Sequence, residues 1–185
     1  MFIDKYDTFI INIGHLSTWL KRRQLLKLCR QLQSSHAVQA EFTRIKQQHV
    51  LKVRIPKCNL PYFISFLSYH NYPIYQILPF ADKDFIYQFA PNIQASMHFK
   101  LKIDGLQDMF VKDKIIDIMQ FLKHQEDIKY VLTTYHIDIS CTPHVLSKLI
   151  HALATQNIDV LGANYRTRIA PVSYTHLRAH ETRHD

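Results

Sequence analysis

The chain is poor in glycine, with three, and has one tryptophan and three cysteines. So few glycines, in no clustered pattern, exclude a glycine-rich phosphate loop and a nucleophile elbow. Cys29, Cys58 and Cys141 are widely separated, with neither the pairing of a disulfide scaffold nor the spacing of a zinc site. They read as reduced thiols, and the expected location is the cytoplasm. No apolar run approaches the roughly 18 residues that a membrane helix needs, and no signal-peptide pattern is present. Acidic charge is also scarce. Against 23 Lys and Arg stand 15 Asp and Glu, a formal net charge of +8. That balance favours solubility and a loose attraction to polyanions without naming a partner.

Histidine is plentiful, at 12 residues, but scattered. His144 and His151 share a helix face loosely, with no carboxylate or Cys to complete a metal set. Asp104, Asp108, Asp113 and Asp117 gather near the start of a helix, where they suit its dipole. The expectation is no metal, no cofactor and no catalytic residue.

The last residues stand apart. Val172 to Thr182 read V-S-Y-T-H-L-R-A-H-E-T, which resembles the in-frame translation of a transposase adapter used in sequencing libraries. Residues 171–185 are therefore set aside as a non-native tail, together with His176, His180 and His184. The sequence that followed Ala170 is expected to be lost, and Met1 is read either as the true start or as an internal methionine.

An internal repeat shows in the spacing of apolar residues. Phe9, Ile11 and Ile13 alternate as a half-buried strand does, and so do Phe99, Leu101 and Ile103 about ninety places later. Leu25, Leu28, Cys29 and Leu32 mark one side of an amphipathic helix, matched by Ile115, Ile118, Met119 and Leu122. Val38, Ala40 and Phe42 match Ile128, Tyr130 and Leu132 as a strand. A longer hairpin around Lys46–His49 then shortens the offset. Beyond it, Leu51, Val53 and Ile55 match Ile137, Ile139 and Cys141 as a strand. Leu60, Phe63, Ile64 and Leu67 match Leu146, Leu149, Ile150 and Leu153 as a helix. Tyr72 and Ile74 match Ile158 and Val160 as a last strand.

Each copy reads strand, helix, strand, strand, helix, strand. The predicted fold is α+β: two tandem ferredoxin-like modules, each an antiparallel four-stranded sheet with both helices on one face. Module one covers residues 1–78, a connector 79–97, and module two 98–168. The connector is aromatic (Phe80, Phe85, Tyr87, Phe89), which predicts packing and a short extra strand at Phe85–Phe89.

Gly14 and Gly105 both fall between the first strand and first helix of their copies, at nearly the same place. Glycine there allows a tight turn and a close ligand, and the following helix start suits a carboxylate. Candidate binding residues are Gly14, His15, Leu16 and Ser17 in copy one, with Thr18 beside them, and Gly105, Leu106, Gln107 and Asp108 in copy two. Gly162 is expected at the end or a bulge of the last strand.

Tandem modules with such turns resemble ACT domains, and the chain is most similar to the regulatory region of aspartate kinase. Thr133-Thr134 before the alternating Ile137-Asp138-Ile139-Ser140-Cys141 strand is similar to that family's second-to-third strand segment, which adds Thr133 and Thr134 to the candidates. The resemblance implies an amino-acid effector and allosteric regulation. It also implies self-association as a dimer, or a catalytic kinase subunit as partner. The acidic-x-Pro-Gly turn common in ACT loops is absent from both copies, and the kinase's phosphate-binding half does not precede them. Two alternatives come from the same element order: an RNA-binding protein and a non-sensing oligomerisation module. RNA modules stack bases on aromatics of the open sheet face. Here the matching positions are Ile10, Asn12, Lys52 and Arg54, then Lys100, Lys102, Asp138 and Ser140, none of them aromatic.

Overall fold

A computed structural model describes residues 6–36, 38–89 and 94–166. The adapter-like tail and the last two positions of the second expected module lie outside the described residues.

Alternation at the start of the chain gives β1 (Tyr6–Ile13), and the helical spacing after it gives α1 (Trp19–His36). β2 (Gln39–Ile45) and β3 (Gln48–Pro56) form a hairpin. Lys46 and Gln47 hold it with φ of 46° and 66°, both left-handed, as a two-residue turn demands. After a 3-10 turn at Lys57–Asn59 comes α2 (Leu60–Tyr69), with Pro61 in its first turn, where a missing N–H costs nothing. β4 (Ile74–Pro79) closes the first set. The second set is β5 (Met97–Ile103), α3 (Met109–Gln125), β6 (Lys129–Leu132), β7 (His136–Cys141), α4 (Pro143–Thr155) and β8 (Val160–Arg166). Asp108 caps α3, its carboxylate accepting from the N–H groups of Phe110 and Val111 at 2.7 and 3.3 Å. Thr142 caps α4 through Val145 N–H.

All eight strands join one antiparallel sheet, in the order β2-β3-β1-β4-β8-β5-β7-β6. The centre is the meeting of β4 and β8, where Ile77 stands opposite Ala163. Three antiparallel pairings separate β1 from β5. The two strands therefore run in opposite directions, and the loops that follow them open at opposite ends of the sheet.

One strand parity packs under the helices. Phe9, Ile11, Leu51, Val53, Phe99, Leu101, Ile137 and Ile139 share a core with Leu25, Phe63, Ile115, Met119, Leu149 and Leu153. Burying each such large side chain stabilises by roughly 1.5–3 kcal/mol before entropy is counted. Residues about ninety apart agree in burial: Leu25 with Ile115, Cys29 with Met119, Leu32 with Leu122, Val38 with Ile128.

The other parity differs between the two ends of the chain. Ile10, Asn12 and Lys52 are expected on an open face, but Ile10 and Asn12 are buried there. A 3-10 segment, Phe80–Phe85, and the extended residues after it cross this face. Ile10, Val50, Leu78 and Ile86 make a second small core, with Phe80 packed on it. Lys52 sits 5.2 Å from the Phe80 ring and pairs with Glu41. The extra strand expected at Phe85–Phe89 does not form. Its backbone is tied down by side chains instead, which leaves no partner strand for it. Gln76, fully buried, accepts from Tyr87 N–H at 2.8 Å and donates to Phe85 O and to Asn164 Oδ1. Asn12 and Gln48 both donate to Tyr87 O, at 3.0 and 2.9 Å. Beyond it, Tyr75, Tyr87, Phe89, Phe99 and Tyr165 pack ring against ring near the β4–β8 junction.

The equivalent face of the last four strands is polar. Lys100 stands opposite Asp138 and Asn164. Asp138 meets His136 at 3.1 Å and Arg166 at 3.3 Å, and Ser140 contacts His98.

Gly162 lies inside β8 rather than at its end. The register shifts beside it, from Lys102 opposite Gly162 to Ile103 opposite Val160.

Candidate functional site

The glycine loop after β1 borders a concavity. Gly14, His15, Leu16 and Ser17 line a cavity of about 480 Å³ together with Arg22, Gln47, His49 and Tyr75. That volume lies in the range of small-ligand sites. The loop supplies one wall, α1 supplies Arg22, the β2–β3 hairpin supplies His49, and β4 supplies Tyr75.

Each wall has a local cause. Gly14 N–H donates to Pro73 O at 2.8 Å, which ties the loop to the start of β4. A Cβ on Gly14 would sit 2.5 Å from the Tyr75 hydroxyl, so any side chain here has to displace that ring, and glycine lets it approach closely. The turn itself is made by His15, at φ 60°. Arg22 donates from one guanidinium nitrogen to Leu16 O and Ser17 O, both at 2.9 Å, and so pins the loop across the helix start. His49 is held below the ordinary imidazole range by desolvation, then by the positive charges of Arg22 and Arg44. Burial pushes the Tyr75 phenol up, which keeps it neutral and able to donate. The cavity therefore offers a cationic wall, a phenol donor and an aromatic floor that includes Phe89. Such a wall suits a small carboxylate.

In the second loop the parts differ. Asp104 N–H donates to Asp159 O at 2.9 Å, the counterpart of the Gly14–Pro73 bond. Gly105, at φ 68°, is thus the counterpart of His15 rather than of Gly14. The two glycines are one place out of register and serve different needs, one a ring contact and the other a left-handed turn. Leu106 is buried, as Leu16 is, so both are core residues that anchor their loops. Asp108 is occupied as the cap of α3, and Gln107 is exposed. Burial, then the charge of Asp104, pushes the Asp159 carboxyl up.

Thr133 and Thr134 lie in the β6–β7 turn. The Thr133 hydroxyl donates to His136 O at 2.7 Å and accepts from His136 N–H at 3.1 Å, which closes the turn. Since His136 stands opposite Lys102, this turn shares a sheet end with the Gly105 loop, not with the Gly14 cavity. The ten candidates therefore divide between two ends of the sheet.

Arg22, His49 and Tyr75 are site residues that the periodicity does not single out. A signal for His49 exists in the strand register, because pairing Ile11 with Leu51 carries the hairpin past Ile13 towards the loop.

The described residues hold no grouping of three His, Cys, Asp or Glu able to bind a metal ion. Cys29 and Cys141 are buried thiols pushed up to about 12 by desolvation, far from a reactive thiolate. Cys58 is exposed. No helix among the described residues is long and apolar enough to cross a membrane. No family model matches the chain, and a search of curated proteins finds no match.

Proposed function

We propose that the chain is a pair of ferredoxin-like, ACT-like modules that senses a small amino acid, as the regulatory part or small subunit of an aspartate kinase does. The modules share element order, and their core residues recur at one offset with one shift at the β2–β3 hairpin. The carrying observation is the cavity beside Gly14, where the Arg22 guanidinium supplies a positive wall next to the His49 imidazole, held towards its neutral form, and a neutral phenol. An α-carboxylate sits against that wall, and the side chain of the effector meets Tyr75 and Phe89. The modules differ in their first loops, so the effector site belongs to the first module. Regulation then acts on a partner, a kinase subunit or a second copy, in the cytoplasm.

A thermal-shift screen of the twenty amino acids tests this. A ligand at 100 times its dissociation constant stabilises by about 2.7 kcal/mol. For a chain of this size that is a rise in Tm of about 5–10 °C. Silence from all twenty, with salt-sensitive binding of RNA, would move the assignment to the nucleic-acid alternative.

A further inference from the structure

The geometry points to a self-association face on the outer sides of α1 and α3, where α1 of one copy lies antiparallel on α3 of a second copy. The observation behind it is a duplicated anomaly. Large apolar side chains stand in solvent at the first turn of both helices: Trp19 and Leu20 at 60 and 63% exposure, Met109 and Phe110 at 74 and 81%. Phe121, further along α3, is 62% exposed. A monomer leaves such rings uncovered at a cost, and the same cost appears at equivalent positions of both helices.

Charge says what covers Trp19, Leu20 and Phe121. On the outer side of α1, Arg23 and Lys27 follow Leu20; on that of α3, Asp113 and Asp117 follow Phe110. The equivalent positions thus carry opposite signs. Arg23 is stacked 5.2 Å from the Trp19 ring, which holds its guanidinium on this side. Within one chain α1 and α3 run in opposite directions, as β1 and β5 do. They also occupy opposite flanks of the helix layer, since α2 and α4 meet between them. A two-fold axis along the strands, between two facing helix layers, therefore sets α1 antiparallel on α3 of the other copy. In that alignment Leu20 meets Phe121, Arg23 meets Asp117 and Lys27 meets Asp113, with residue numbers that sum to the same value within one. The contact occurs twice and closes on itself, as an isologous dimer must. Turning the axis across the strands instead would set α1 on α1 and oppose like charges, which is costly. Lys112 and Lys114 flank the aspartates, so the attraction depends on register rather than net charge. The repeat frame of the proposed function is used here, but the effector is not. A failed amino-acid screen leaves this face untouched.

Sedimentation velocity of the full chain over a range of concentrations tests it, with circular dichroism as the folding control. The wild-type protein is expected to show a monomer–dimer equilibrium. The double reversals R23D/K27D and D113K/D117K should each weaken it by about tenfold or more. The four-residue swap should bring it back to near the wild-type value, which a merely structural role could not do. A wild-type monomer at every concentration overturns the proposal. So does a dimer indifferent to both reversals, or one that the swap fails to restore. A monomer that co-sediments with anionic phosphatidylglycerol vesicles would assign the face to a membrane and equally overturn it.

Discussion

Replacing Gln76 by leucine isolates the device that holds the connector on the sheet. Gln76 is fully buried, and its amide makes four contacts. It accepts from Asn12 Nδ2 at 3.4 Å and from Tyr87 N–H at 2.8 Å. It donates to Phe85 O at 3.2 Å and to Asn164 Oδ1 at 3.3 Å. Leucine keeps most of the volume, so the cavity left behind is small. What is lost is pairing. Asn12 retains Tyr87 O, but Tyr87 N–H and Phe85 O each lose the partner described above. Leaving a buried polar group unpaired costs about 1–3 kcal/mol. Two such groups, partly relieved by entering water, give a loss of about 2–4 kcal/mol. With a urea slope near 2 kcal/mol per molar, the unfolding midpoint should fall by about 1–2 M. Hydrogen exchange supplies a local readout: the Tyr87 amide should lose protection while core amides of β5 and β7 keep theirs relative to global stability. A midpoint unchanged within error, or a Tyr87 amide as protected as before, would refute the idea that this amide pins residues 85–87.

Three other outcomes are expected. Gly14→Ala places a methyl group against the Tyr75 hydroxyl and should destabilise by about 1–3 kcal/mol, read by urea unfolding, while any amino-acid shift is abolished. With an aromatic thiol reagent, Cys58 should react at once, and Cys29 and Cys141 only on unfolding, because burial holds both thiols near 12. For His49 the folded pKa lies below the unfolded value of 6.5, so the unfolded chain binds the proton more readily. Its contribution to stability is then complete above 6.5 and is lost as pH falls through the window between 6.5 and the folded value. Proton NMR of its ring should show the lowered midpoint, and a bound carboxylate should move that midpoint back up.

Much of this architecture is written in residue periodicity. Alternation at Phe9–Ile13 and Phe99–Ile103, and the helical stripes through Leu25 and Ile115, place the strands, the helices and the core beneath the helices. The reason is local: a residue's parity in a strand or phase in a helix decides its side, and burying the apolar side dominates the free energy. Periodicity is silent on what a distant segment does to the opposite side. Ile10 and Asn12 have the parity of an open face, and they are buried only because residues 80–89 return across β1 and β4. The loop glycines are a second case. Their nearly equal spacing suggested one role, but Tyr75 approaches Gly14 from another strand while Gly105 answers to its own φ. The cavity is a third, because Arg22, His49 and Tyr75 meet only when helix, hairpin and β4 come together. Short-range patterns follow from the geometry of a single element. Coverage of a face and convergence of side chains follow from contacts between elements far apart in the chain, and those exist only once it is folded.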